Sequence, residues 1–298
     1  MPDTPEIQSW LALNLKPNST VACNGLLISV SNQRSLKHNL KGKNFKVKCN
    51  IDLVMKIWHD RPSIPKQKVF IHPPEHAKIS VQEKLGRIRE ELLIRNATAY
   101  LMCALDEICW TFNLRGSDIS YNPVFLAYAV VDQHKATLYV EPEKLSDDVV
   151  QFLTTEHVSV KPYNKIFEKV AKFRKTDRLV LDPDRVNYSV YSKIPTCTTV
   201  LESTGLATKL KVQKQPSEIE GINEAMVQDG IAMVEFLYWL EQNVSSGKIT
   251  ELTVADKLLE FRSKQANFVS ESFGSIVGYA DHGAIVHYTA TPETSYTI

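Results

Sequence analysis

The chain has 298 residues, 35 basic and 34 acidic, for a net charge of +1, with 43% hydrophobic and 23% charged residues. That balance leaves no electrostatic footprint for nucleic acid or an anionic membrane, so neither is expected as a partner. No apolar run approaches the roughly 20 residues that span a bilayer, and MPDTPEIQSW has neither the basic nor the apolar region of a secretory signal. Five cysteines, Cys23, Cys49, Cys103, Cys109 and Cys197, form no C-x-x-C pair. An odd count without such spacing argues against a disulfide framework or a structural zinc site, and for a reducing, cytoplasmic compartment.

In chain order, Ile7, Trp10, Leu11 and Leu13 mark a short helix. Thr20–Ala22 and Phe45–Val47 read as strands, Ser31–Leu40 as a helix and Ile51–Trp58 as an amphipathic piece. Asp60-Arg61-Pro62 and Pro65 break that pattern, and a boundary is expected near His72-Pro73-Pro74. Ser80 and Glu83 form a capping box before Leu85, Ile88, Leu92 and Leu93. Thr98–Cys103 reads as a buried strand, Asp106–Leu114 as a short helix, and Val124–Val131 with Ala136–Val140 as strands about a turn. Leu145–Leu153 and Ile166–Phe173 read as helices, Val158–Val160 and Leu179–Leu181 as strands. This alternation predicts an α/β domain. Ser217 and Glu220 suggest a second box, opening a long amphipathic helix through Ile222, Met226, Ile231, Val234, Leu237 and Leu240. Gly247 closes it, Thr250 opens another helix, and Phe273–Val277 and Ala284–Val286 are predicted strands.

The common nucleotide-binding and hydrolase signatures are absent: no G-x-G-x-x-G, P-loop, G-x-S-x-G or H-E-x-x-H occurs. His72 and His76 have a metal pair's spacing, but Pro73 and Pro74 between them deny the helical presentation such a pair needs. Asp106 and Glu107 suit a helix start, favoured by the helix dipole. Arg115 is placed to pair with Asp118 or to bridge to another domain.

Leu105-Asp106-Glu107-Ile108-Cys109-Trp110-Thr111-Phe112-Asn113-Leu114-Arg115-Gly116-Ser117-Asp118, with Asn122-Pro123-Val124-Phe125, closely resembles the middle domain of the three-domain Xaa-Pro aminopeptidases (aminopeptidase P). Lys56-Ile57-Trp58-His59-Asp60-Arg61-Pro62 resembles the end of that family's first domain. Asp256-Lys257, Glu260-Phe261-Arg262, Gln265-Ala266-Asn267-Phe268-Val269, Ser272-Phe273 and Gly283-Ala284-Ile285-Val286-His287-Tyr288 resemble the opening of its catalytic domain. Gly274 stands where the family often has proline, and His282-Gly283 where it commonly has Asn-Gly.

The resemblance implies an α/β fold: creatinase N-terminal-like α/β domains followed by the truncated start of a pita-bread α+β catalytic domain. The implied limits are 1–75 for the C-terminal part of the first domain, 76–205 for the second, and 206–298 for the opening of the catalytic domain. In the family that domain holds two divalent metals, typically manganese, and removes an N-terminal residue preceding proline. The bond before proline is a tertiary amide without N–H, and two bridged cations lower the pKa of a shared water and polarise the carbonyl.

The family's aspartate ligand motifs, D-S-G and D-G-T-T-D, follow its His-Tyr stretch, and neither occurs in this chain. Of the family's site residues only His287, which matches a substrate-facing histidine, carries over; the plainer alternative is a histidine packed at a strand end. Glu271, Asp281 and Glu293 show no spacing that replaces the missing ligands. The expectation is therefore a fragment of a cytoplasmic Xaa-Pro aminopeptidase, with no metal of its own and inactive alone. The open alternatives are a non-catalytic derivative that pairs with a full-length subunit, or a product without a role. The implied partners are peptides with proline second and either a homodimer or a full-length subunit. Ile231, Phe236, Leu237 and Leu240 are expected to expose an apolar patch.

Overall fold

The computed structural model describes residues 4–41 and 44–298. The chain forms two compact units, one from the segment up to Asp118 together with Val124–Gln213, the other from Ile119–Pro123 together with Lys214–Ile298.

The first unit opens with α1 (Ile7–Asn14), β1 (Thr20–Ala22), α2 (Val30–Asn39) and β2 (Lys46–Lys48), the two strands pairing in parallel. Next come β3 (Phe70–Ile71), α3 (Val81–Ile94), β4 (Ala99–Met102), α4 (Leu105–Thr111) and β5 (Leu114–Arg115). Then follow β6 (Tyr128–Asp132), β7 (Ala136–Tyr139), α5 (Asp147–Thr155), β8 (Val158–Lys161), α6 (Ile166–Val170), β9 (Arg178–Leu181), α7 (Tyr188–Tyr191), β10 (Thr199–Glu202) and α8 (Leu206–Val212).

Its centre is a six-stranded mixed sheet in the order β10-β9-β4-β6-β7-β8. β10, β9 and β4 are parallel, β6 runs against both β4 and β7, and β8 is parallel to β7. Side chains alternate across a strand. On β4, Tyr100 and Met102 enter one core with Val81, Leu85, Ile88 and Leu92 of α3 and Val149 and Leu153 of α5. Ala99 and Leu101 enter the other, with Val30 of α2, Ile166 and Val170 of α6 and Val190 of α7. Both faces are covered, which is why these strands read as continuous apolar runs instead of alternating.

The helix expected over Asp106–Leu114 ends at Thr111. Asn113 takes a left-handed conformation (φ 51°), which asparagine tolerates and which stops a helix. Leu114–Arg115 then pairs antiparallel with Phe70–Ile71. The Ile51–Trp58 piece is reduced to a single tight turn at Val54–Lys56, opened by the Asp52 carboxylate, which accepts from the Met55 amide (3.0 Å) and Arg61 (2.9 Å). The Ser80 hydroxyl accepts from the Glu83 amide as expected, while the Glu83 carboxylate turns to Arg87.

The second unit is built on α9 (Pro216–Asn243) and α10 (Glu251–Ser263). The box opening α9 lies two residues earlier than expected: the Gln215 amide donates to Glu218 (2.8 Å), with Pro216 at the first helical position where its missing N–H is harmless. Gly247, at φ 66°, turns the chain toward α10. A small core joins Phe236, Ile249 and Val254, with Met233, Trp239, Leu240 and Leu258 against it. Of the expected exposed patch, Ile231 and Leu237 are exposed, whereas Phe236 is buried and Leu240 is half-buried against the same core.

The strands predicted at Phe273–Val277 and Ala284–Val286 do not form; a short tight turn at Ala280–Ala284 and irregular backbone replace them. A strand needs a neighbour's ladder, and among the described residues the bridge Thr250↔Thr297 alone pairs this terminal segment. No helix among the described residues is long and apolar enough to cross a membrane.

Candidate functional site

The most connected polar group of the second unit is Glu251. Thr250 caps α10 by accepting from the Thr253 amide (3.2 Å), and this places Glu251 in the first turn, where a carboxylate is favoured. Glu251 is 1% exposed. One carboxylate oxygen accepts from the Tyr279 amide (2.7 Å) and faces His282 Nδ1 (3.0 Å). The other accepts from the Tyr288 hydroxyl (2.9 Å) and the Tyr296 amide (3.0 Å). The His282 ring lies between Tyr288 (4.4 Å) and Tyr296 (3.7 Å between centroids). Burial pushes the Glu251 carboxyl up, but these donors together outweigh it and hold it down at about 2. One carboxylate thus gathers residues 279–296 onto the start of α10.

His287 is displayed by this segment. It is exposed, at φ 57°, in a turn between exposed Val286 and buried Tyr288. It is therefore not packed at a strand end. Reading the sequence alone does not single out Glu251, although a glutamate just after a capping threonine is a legible signal; its partners lie 28 to 45 residues away along the chain.

The other candidates serve structure. Glu271 accepts from Ser275 (2.9 Å) and faces Arg262 (3.8 Å), while Asp281 and Glu293 are exposed. His72 and His76 lie 6.0 Å apart between ring centroids. Burial, then the charges of Arg115, His76 and Lys84, push His72 down to about 4. Asp106 pairs with Lys211. Glu107, 2% exposed, accepts from the Tyr100 hydroxyl (2.7 Å) and the Thr208 amide (3.1 Å), which ties α4 to α8, and its burial raises its pKa. Arg115 donates to the carbonyls of Cys109 (3.0 Å) and Leu114 (2.9 Å), whereas Asp118 pairs with buried Lys144 instead of Arg115.

Hard divalent cations need several converging carboxylate oxygens, with or without imidazole. Among the described residues no three His, Cys, Asp or Glu side chains are grouped to hold a metal ion. The buried Glu251 carboxylate, tied to the segment that carries His287, already has donors on both oxygens. The donor set does not fit a dinuclear centre.

The creatinase/prolidase N-terminal domain family matches residues 60–218, and metallopeptidase family M24 matches residues 220–297. Xaa-Pro aminopeptidase 1 of Dictyostelium discoideum is 35% identical over 307 aligned positions, covering 99% of this chain and 49% of that protein. A probable Xaa-Pro aminopeptidase P of Paracoccidioides brasiliensis (strain Pb03) is 36% identical over 304, covering 96% and 49%. The crystal structure of X-prolyl aminopeptidase from Caenorhabditis elegans, described as a cytosolic enzyme with a di-nuclear active site, matches with a TM-score of 0.90 at 28% identity, covering 99% of this chain and 49% of that one. The chain thus spans about half the length of the relatives it matches. With a creatinase/prolidase N-terminal domain running into the start of an M24 pita-bread domain, this chain belongs to the Xaa-Pro aminopeptidase family.

Proposed function

We propose that this chain supplies the creatinase-like part and the opening of the catalytic part of a cytoplasmic, manganese-dependent Xaa-Pro aminopeptidase, and that these residues by themselves do not cleave peptides. The observation that carries the reading is the likeness of nearly the whole chain, in one continuous order, to about half of each relative. On this reading residues 1–75 are the C-terminal part of a first creatinase-like domain, 76–205 a second, and 206–298 the start of the catalytic domain. His287 faces a peptide with proline second once the rest of the site surrounds it; its exposure in a turn anchored by Tyr288 and Glu251 supports that role. The donor set supports this part of the reading, since among the described residues no three metal-holding side chains are grouped. No catalytic step is therefore routed through these residues.

A second reading, in which the chain is a non-catalytic derivative pairing with a full-length subunit or a second copy, draws support from the exposed apolar residues along α9. The test is incubation of the pure, mass-verified chain with an Arg-Pro-Pro peptide, with and without manganese. No release of arginine is expected in either condition. Metal-stimulated release would overturn the proposal.

A further inference from the structure

Two thiols distant in the sequence are brought together in the first unit. Cys23 follows β1 and Cys49 follows β2, and their Sγ atoms lie 3.3 Å apart. The parallel ladder ends where Ala22 pairs with Lys48, but the two segments stay tied at the cysteines: the Cys23 amide donates to the Lys48 carbonyl (2.9 Å) and the Ile51 amide to the Cys23 carbonyl (3.3 Å). Adjacent strands lie roughly 4.8 Å apart, within the range of Cα separations that a disulfide spans. Forming the bond means closing the sulfurs from 3.3 Å to about 2.05 Å. Cys23 is partly exposed and Cys49 is 8% exposed, so the pair combines one thiol an oxidant can reach with one sheltered behind it. Elsewhere, Cys109 is packed in one core, Cys103 packs against the other, and Cys197 is exposed.

We propose that Cys23 and Cys49 form a dithiol modification site, oxidised by hydrogen peroxide to an intramolecular disulfide that joins the ends of β1 and β2. The Cys23 thiolate attacks one peroxide oxygen; the O–O bond breaks, hydroxide leaves, and Cys23 becomes a sulfenic acid. Cys49 then attacks the Cys23 sulfur. The S–S bond forms, the sulfenic oxygen departs as hydroxide, and the Cys49 proton completes it to water. In sum two thiols and one peroxide give one disulfide and two waters. Cys23, the more exposed of the two, is the thiol that peroxide reaches first, while burial, and the neighbouring Cys23, push the Cys49 thiol up to about 12. The bond closes a loop that carries α2, whose Val30 amide donates to the Val186 carbonyl (3.1 Å) and whose Arg34 pairs with Glu202 (2.6 Å). Oxidation thus fastens the short β1–β2 pair beside a contact point of the larger core. Such a bond is transient in a reducing compartment and is undone by thiol exchange.

The test treats the reduced full chain with graded hydrogen peroxide, then counts thiols under denaturing conditions and maps non-reduced peptides. Two of the five thiols should disappear together, the intact mass should fall by two hydrogens, one cross-linked peptide should contain Cys23 and Cys49, and dithiothreitol should reverse all three changes. In Cys49→Ser, dimedone should trap Cys23 as the sulfenic acid. Retention of all five thiols, or their loss at Cys197 or between chains without the Cys23–Cys49 peptide, would overturn the proposal. The peptide mapping uses the unaltered chain, so it remains decisive even where Cys49→Ser misfolds.

Discussion

Glu251 carries a negative charge into a site that is closed to water, and it stays there because four groups donate to or face it. Its carboxyl is held down from 4.5 to about 2, so its folded pKa lies below its unfolded value. A depressed acid contributes stability above its unfolded pKa and loses it as pH falls through the folded one. The segment from Tyr279 to Tyr296 should therefore loosen between pH 4.5 and about 2, and Glu251→Gln should loosen it already at neutral pH. Exchange of the Tyr279 and Tyr296 amides, followed against pH, checks both. A second buried charge behaves differently. Lys144 and Asp118 are both fully buried; Asp118 also accepts from the Leu126 amide (2.7 Å), while its other oxygen has no partner. Removing one member of a buried pair strands the other charge at a cost of about 3–5 kcal/mol, whereas replacing both with apolar groups is often neutral. Lys144→Met should thus destabilise strongly and Lys144→Met with Asp118→Leu much less, as read by urea unfolding.

Among the elements, α9 is the outlier. A helix of 28 residues normally buries an apolar stripe, yet only Ala232 and Phe236 are buried, and Ile222, Met226, Val227, Ile231, Val234 and Leu237 are exposed. Contiguous apolar surface of this kind binds hydrophobic dyes and promotes association. The pure chain should enhance the fluorescence of an apolar-surface dye and elute as more than a monomer, and Met226→Lys with Leu237→Lys should reduce both effects. A monomer without dye binding would refute this. The helix itself was legible from its spacing and from Pro216. Which turn of it would be buried was not, because Phe236 is selected by contact with Trp239, Ile249 and Val254 on other turns and on the neighbouring segment.

For the whole molecule, the proposed role of His287 depends on residues that surround it in a complete site. In a chain completed with the remaining half of the Dictyostelium relative, His287→Ala should lower kcat/KM for an Arg-Pro-Pro peptide by about a hundredfold, the scale at which a misplaced positioning group is felt. An unchanged kcat/KM with intact folding would remove His287 from the substrate site. Most helices and five of the six central strands were readable from the chain alone; β10 and the short helices α7 and α8 were not. Apolar spacing, the Ser80 and Thr250 caps and the breaks at proline and glycine act through neighbouring residues, so local order reveals them. The family was legible for a related reason: Leu105–Asp118 and Gly283–Tyr288 are contiguous stretches whose order survives in the sequence. Contacts across long separations were not. The pairing of Phe70–Ile71 with Leu114–Arg115, the Glu251 cluster and the meeting of Cys23 with Cys49 each join residues far apart in the chain, and the strands expected at 273–277 and 284–286 find no ladder partner among the described residues. A strand needs a ladder partner and a buried charge needs donors, and it is the folded chain that supplies both.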